Sequence, residues 1–458
     1  MGTTPSQPFQ TVHYRRLQAA GLCSALKQRF AELRSRDFPD EGAAQALELL
    51  EELLSTLRSE IASISDERTL VMVTLVVFEL GKTLEYFDNA GTDQTPRGLV
   101  CLLRSLYERL GRNSALLAWP QADYNFTIRN YVETLKRLFA NMGPNAKMDG
   151  ILAKYKGPAD FVSFPRIERD NVLMHAIFGH ELGHPIATDF LTQESAKPEY
   201  ATKELEIRNE VSAALGAANS LAELHTAMQT VFALRFRALE ELISDTVGIY
   251  LFGPSALFAG YEINLWALDV VPSAGNDCYP PGRMRIRVCL EAARSLKHLA
   301  VLANHSDSPS FRAAASLTDQ LAALAAEDSD KKAIETNALA KIAYKWVDAS
   351  LSDAQAFAKQ AVGSAVYEDA IFEAEVPDLV GRLKNGLPPN ELGNSLNPRR
   401  VDERSAILAA WLAVLEESQS PTATTGSTDD VARLNEKTLR ALEYIVLERE
   451  YREWGKTR

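Results

Sequence analysis

Apolar side chains that return every three to four residues constrain this chain more than any other feature. Leu47, Leu50, Leu54, Leu57 and Ile61 fall on one face of a helix. Asp66 is placed to cap a second helix over 67–86, which is apolar on nearly all sides and therefore predicts a buried central helix. The longest apolar run, 70–78, is interrupted by Thr74 and is far shorter than the ~20 residues that span a bilayer, so no membrane insertion is expected. Amphipathic helical stretches follow at 97–110 and 125–141. One good strand candidate, 161–164, lies between Pro158 and Pro165. Beyond His305 the chain is Ala-rich and helical, with loops at 385–398 and 418–428 and a last helix over 430–454. The expected fold is mainly α with at most a small β-sheet. Its expected domains are a helical bundle or cap (1–120), a central domain (121–305) and a C-terminal helical region (306–458).

The net charge of -12 speaks against a nucleic-acid partner, which needs clustered cations. Arg283, Arg285 and Arg287 are the densest cluster, and their alternation with Met284, Ile286 and Val288 reads as solvated charges at a helix start. Cys23, Cys101, Cys278 and Cys289 are widely spread with no C-x-x-C pair, which predicts neither a disulfide framework nor a cysteine metal cage. That usage fits a reducing compartment, and residues 1–10 carry no apolar signal core, so a cytoplasmic address is expected.

From Asp170 a strongly apolar helical pattern begins, with Asp170 or Asn171 as its expected N-cap. Inside it His180, Glu181, Leu182, Gly183 and His184 spell H-E-x-x-H. Histidines four apart share a helix face, so both imidazoles can reach one Zn²⁺ at about 2.0–2.1 Å while Glu181 faces a water on the metal. Random placement of 7 His and 61 acids yields about 0.01 such matches, which makes coincidence a poor account. The chemistry this spacing points to is metal-assisted hydrolysis. A second element, Glu241-Leu242-Ile243-Ser244-Asp245, again sets two acids on one helix face.

H-E-x-x-H followed by E-x-x-x-D resembles the gluzincin metallopeptidases. The resemblance implies a zincin-like catalytic domain, one Zn²⁺ per chain on His180, His184 and Glu241, and Glu181 as general base. It also implies that Asp245 accepts a hydrogen bond from a ligand imidazole. The segment Tyr279-Pro280-Pro281-Gly282-Arg283-Met284-Arg285-Ile286 is similar to the H-P-x-x-x-x-R-I segment of the heat-shock-type and prenyl-protein-processing gluzincins. Pro280, Arg285 and Ile286 match, Tyr279 stands in place of the histidine, and the transmembrane helices of those enzymes have no counterpart. By this alignment Tyr279 is the expected donor to a developing oxyanion. The resemblance covers roughly 175–290 and implies a peptide or protein substrate.

Blander readings compete at several positions. His175 lies about 140° from His180 on a helical wheel and reads as a packed histidine. Cys278 reads as a small loop cysteine, and Glu240 is one step out of register with Glu241. For the whole chain the alternative is a helical scaffold or adaptor with a zinc-stabilised, non-catalytic or latent site. Three protein ligands favour catalysis, because a purely structural zinc usually has four. The flanking helical regions leave room for a regulatory partner that uncovers the site.

Overall fold

A computed structural model describes residues 11–112, 115–140, 146–154, 159–216, 220–264, 278–393, 399–419 and 427–456. The fold is mainly α, with one three-stranded and one two-stranded sheet among the described residues. It divides into two compact units, Met1–Val100 with Gly111–Arg169 and Cys101–Leu110 with Asp170–Arg458.

In the first unit, α1 (Thr11–Leu33), α2 (Gly42–Ile61) and α3 (Glu67–Asn89) pack together. All five apolar positions read on α2 are buried, with Leu53 beside them, and each such leucine contributes about 1.5–3 kcal/mol of transfer free energy. The Asp66 carboxylate caps α3 by accepting from the Thr69 N–H at 2.7 Å. The expectation that this helix is buried all round needs correction. Leu70, Val73, Val77 and Leu80 are buried, whereas Val71, Leu75 and Phe78 form an exposed stripe. The neighbours α1, α2 and the sheet cover only part of its circumference.

After α4 (Arg97–Arg109) the first unit continues through β1 (Ala115–Gln121), β2 (Thr127–Asn130), α5 (Tyr131–Ala140), α6 (Ala146–Lys154) and β3 (Ala159–Pro165). The strand order is β1-β3-β2, with β1 parallel and β2 antiparallel to the central β3. The strand candidate at 161–164 falls inside β3. The helix expected over 125–141 instead starts at Tyr131, and its first residues form β2. β1 escapes a periodicity reading because it is buried on both faces, so no alternation marks it.

In the second unit the metal-motif segment departs from the helix expected from Asp170. Asn171 and Val172 carbonyls accept from Met174 and His175 N–H, giving a 3₁₀ turn over Met174–Ile177. The α-helix then runs as α7 (Phe178–Glu181) and α8 (Gly183–Ser195). Leu182 between them keeps helical angles, φ −67° and ψ −17°, and donates to the Phe178 carbonyl at 2.9 Å. After α9 (Pro198–Leu215) comes the axis of this unit, α10 (Leu221–Phe252), opened by a capping box between Ser220 and Glu223. α11 (Pro254–Asn264) and α12 (Gly282–Ser295) follow. The last helix, Ser427–Lys456, docks through Leu434, Ala441, Leu442 and Ile445. No described helix is long and apolar enough to cross a membrane.

Candidate metal centre

Small residues bring α7 and α8 against α10. A Cβ on Gly183 would lie 2.5 Å from Ser244 Cα, and one on Gly179 would lie 3.1 Å from Gly248 Cα and 2.7 Å from the Phe252 ring. Gly179 and Gly183 on one side, and Ser244 and Gly248 on the other, are each four apart. Each pair therefore makes one flat stripe, and the two backbones approach where larger residues would hold them apart. The sequence held this signal, but an apolar-periodicity reading passes over glycine and serine.

That approach delivers His180 and His184 to Glu241 and its neighbours. His180 Nε2 lies 3.4 Å from Glu241 Oε2, while its Nδ1–H donates to Asp245 Oδ1 at 2.8 Å. His184 Nε2 is 3.9 Å from Glu181 Oε2, and its buried Nδ1 lies 3.4 Å from Glu240 Oε1 without forming a hydrogen bond. Two overlapping triads bring their ligand atoms within 4.8 Å, His180/Glu181/His184 and His184/Glu240/Glu241. The set expected to bind zinc is thus divided between them, with the 3.4 Å His180–Glu241 contact joining the halves. Glu240, out of register on a wheel of α10 alone, belongs to the cluster because His184 reaches it from another helix.

Two guanidinium groups brace the acids. Arg285 on α12 forks onto Asp245, Nε to Oδ2 at 2.7 Å and Nη2 to Oδ1 at 2.8 Å, and its Nη2 lies 3.3 Å from Glu241 Oε2. Arg237 donates to Glu240 at 2.7 Å and pairs with Glu241 Oε1 at 3.0 Å. It also donates to the Tyr279 hydroxyl and lies over that ring at 4.3 Å from its centroid. Tyr279 sits half in solvent, 43 % exposed, tied to Glu241 through Arg237. The sequence reading did not assign roles to Arg237 and Arg285. Arg285 was signalled by the partial third motif. The other two arginines of that run are also not solvated as expected, since Arg283 pairs with Glu327 and Arg287 with Asp330. Asp245 on the earlier α10, with Glu327 and Asp330 further along the chain, neutralises what reads locally as a free cationic run.

The charge balance invites a cation. Glu181, Glu240, Glu241 and Asp245 outnumber the two guanidiniums beside them by two, an excess that a protonated His180 reduces to one. Burial disfavours charge on His180, but hydrogen bonds with Asp245 and Glu241 prevail and hold its imidazole up to about 10. Burial likewise opposes ionisation of Glu241, yet His180, Arg285 and Arg237 bring it down to about 2. Asp245 lies below the usual carboxylate range because Arg285 and His180 outweigh its burial. At Glu181 burial wins over both histidines and raises the carboxyl.

The His/Glu group could hold a metal, and one pair in it has the spacing of zinc ligands. Ligand atoms at about 2.0–2.1 Å in a tetrahedron stand roughly 3.3–3.4 Å apart, the separation found between His180 Nε2 and Glu241 Oε2. Asp245 fixes the proton on Nδ1 and leaves Nε2 turned to Glu241, as a ligand imidazole requires. His175 is fully buried, with its ring centroid 6.4 Å from that of Phe178, and Cys278 belongs to neither triad. No protein-family model, curated protein or solved structure matches the chain.

Proposed function

We propose that this chain is a zinc-dependent peptidase that hydrolyses peptide bonds of a peptide or protein substrate, with His180, His184 and Glu241 holding one Zn²⁺. The observation that carries the reading is the 3.4 Å approach of His180 Nε2 to Glu241 Oε2 across two helices locked by glycine, with Glu181 beside them. The resemblance of H-E-x-x-H and E-x-x-x-D to the gluzincins supports the same set. A zinc ion held there supplies Lewis acidity to the scissile carbonyl and to a water.

Glu181 takes the proton from the attacking water and returns it to the leaving amine. Its raised carboxyl suits a base that must also act as an acid near neutral pH. Asp245 holds His180 in the tautomer that offers Nε2, and Arg285 holds Asp245. Glu240 stands 3.4 Å from His184 Nδ1, near enough to become its acceptor when the ring settles on a metal. Tyr279 stands at the exposed edge of the cluster, where its O–H can donate to the oxyanion once Arg237 occupies the phenol oxygen's acceptor side. Four free cysteines accord with a cytoplasmic location.

The second reading, a scaffold with a latent site, draws on the two guanidiniums that share the Glu241 carboxylate, since both oppose a cation there. Casein cleavage with and without chelator, beside zinc analysis, separates the two. A peptidase cleaves casein, stops on chelation, and as Glu181→Gln retains zinc while kcat falls by about 10²–10⁴. Cleavage by Glu181→Gln at the wild-type rate removes the general-base role, and a zinc-loaded protein inert towards all peptides favours the scaffold.

A further inference from the structure

The first unit holds a cavity of about 230 Å³ between one face of its sheet and helices α3 and α5. Strand register puts Trp119, Phe161, Ser163, Thr127 and Arg129 on that face. The rings are ordered into walls. Tyr86 stacks on Trp119 at 4.3 Å, Tyr131 stacks on Phe161 at 3.9 Å, and Trp119 meets Phe161 edge-on at 5.6 Å. Aromatic side chains here thus make flat apolar surfaces that border empty volume.

Among the described residues, two polar features of this cavity are poorly satisfied. Tyr131 is only 4 % exposed, and its hydroxyl makes no hydrogen bond. Thr83, its polar neighbour, already donates its own proton to the Leu80 carbonyl at 2.6 Å. Thr83 thus offers Tyr131 a lone pair, but not in the geometry of a hydrogen bond, and a buried phenol so poorly satisfied is unfavourable and uncommon and points to a better-placed acceptor that arrives with a ligand. At the exposed rim Glu79 is paired with Lys82 at 2.7 Å, while Arg129 makes no ion pair among the described residues. The rim therefore carries one uncompensated positive charge. Thr127 and Ser163 satisfy one another at 2.7 Å and do not compete.

Size narrows the ligand. A cavity of about 150 Å³ accepts benzene, whereas pockets for drug-sized molecules run from about 300 Å³ upward. We infer that this cavity binds a small carboxylic acid built on one aromatic ring. The ring lies against Trp119 and Phe161, the carboxylate meets Arg129, and a ring oxygen accepts from Tyr131. The site is independent of the metal centre.

Calorimetric titration of the full chain with 4-hydroxybenzoate, benzoate and benzamide tests this, with chelator present throughout so that no acid is held by metal. The expected result is saturable 1:1 binding of 4-hydroxybenzoate with Kd below about 1 mM and roughly tenfold weaker binding of benzamide. Arg129→Gln should erase the preference for acid over amide. Tyr131→Phe should bring 4-hydroxybenzoate down to the level of benzoate, and its melting temperature should equal or exceed wild type because a poorly satisfied buried hydroxyl is gone. Absence of saturation with either acid overturns the proposal. So does benzamide binding as tightly as benzoate, or acid binding unchanged in both variants.

Discussion

The two units keep their cores together by different means. Among the described residues of the first, the buried charged side chains are Asp40 and Asp160, set in an otherwise leucine-rich and aromatic interior. The second buries Glu194 with Arg235 at 2.7 Å, Asp330 with Arg287, and Asp402 with Arg404 at 2.8 Å, besides the metal-centre acids. Arg404 is 1 % exposed, forks onto Asp402, and also donates to the Leu251 carbonyl at 3.2 Å. Apolar burial is non-directional and tolerant, whereas a buried ion pair fixes one geometry and is strongly unfavourable when a partner is lost. The first unit can therefore vary in detail around its core. The second is built to hold particular atoms in place, as a site of facing carboxylates and imidazoles requires.

The largest effect that separates the units is metal removal. His180→Ala/His184→Ala should fall from one zinc per chain to almost none. The second unit alone should lose thermal stability, by about 2.7 kcal/mol at a free zinc concentration a hundred times Kd. Hydrogen exchange resolved by segment reads this. Unchanged zinc content in the double variant dismisses the assigned ligands, and an equal loss of protection in both units removes the contrast.

Next in size is Arg404→Met, which leaves the buried Asp402 with Arg109 as its remaining cation at 3.1 Å and should cost about 3 kcal/mol in urea unfolding, the low end for breaking a buried pair. Acid should act on the same pair. Arg404 and Arg109 overcome burial and hold Asp402 at about 2, below its ordinary value near 3.8. A depressed carboxyl stabilises the fold above the ordinary value and loses that contribution as pH falls through the depressed one. The second unit should accordingly weaken between about pH 4 and pH 2, and Arg404→Met should flatten that dependence. A profile equally steep in the variant shows that other carboxylates govern acid unfolding.

Gly183→Ala probes the helix contact beneath the metal centre. Its Cβ would meet Ser244 backbone at 2.5 Å, so the helices must part at an expected cost of about 1–3 kcal/mol, with weakened zinc binding because His180 and Glu241 separate. Wild-type stability and zinc affinity together would mean that the close approach does not set the ligand spacing.

What could be read in advance follows from how local each signal is. The leucines of α2, the Asp66 cap and the shared face of His180 and His184 are properties of one helix, so the spacing in the chain suffices. Arg237, Glu240 and Arg285 take their meaning from side chains on other helices, which no wheel of a single segment displays. The start of the metal-motif helix was misplaced because apolar residues at 172–178 look alike in an α-helix and in the 3₁₀ turn that the structure contains. β1 was hidden by its burial on both faces. The exposed stripe on α3 was hidden by its composition, because burial depends on neighbours and those residues are apolar wherever they point.

That stripe supplies the smallest expected effect and the sharpest check on the first unit. Leu75 on α3 is 51 % exposed although it sits in the most apolar run of the chain. If the described packing is right, Leu75→Gln exchanges one solvated side chain for another of similar helix propensity. Urea unfolding should then shift by no more than about 0.5 kcal/mol. If α3 were buried on every side, as its sequence alone suggests, the same change would place an unpaired amide in the core. The cost would be about 1–3 kcal/mol for that amide alone, with lost apolar burial added. The two outcomes differ severalfold. Leu80, fully buried five residues further along the same helix, serves as the internal reference, since Leu80→Ala should cost about 2–5 kcal/mol on either view. A Leu75→Gln loss approaching that of Leu80→Ala would mean that α3 is enclosed on the side described here as open, and the first unit's core would have to be redrawn around it.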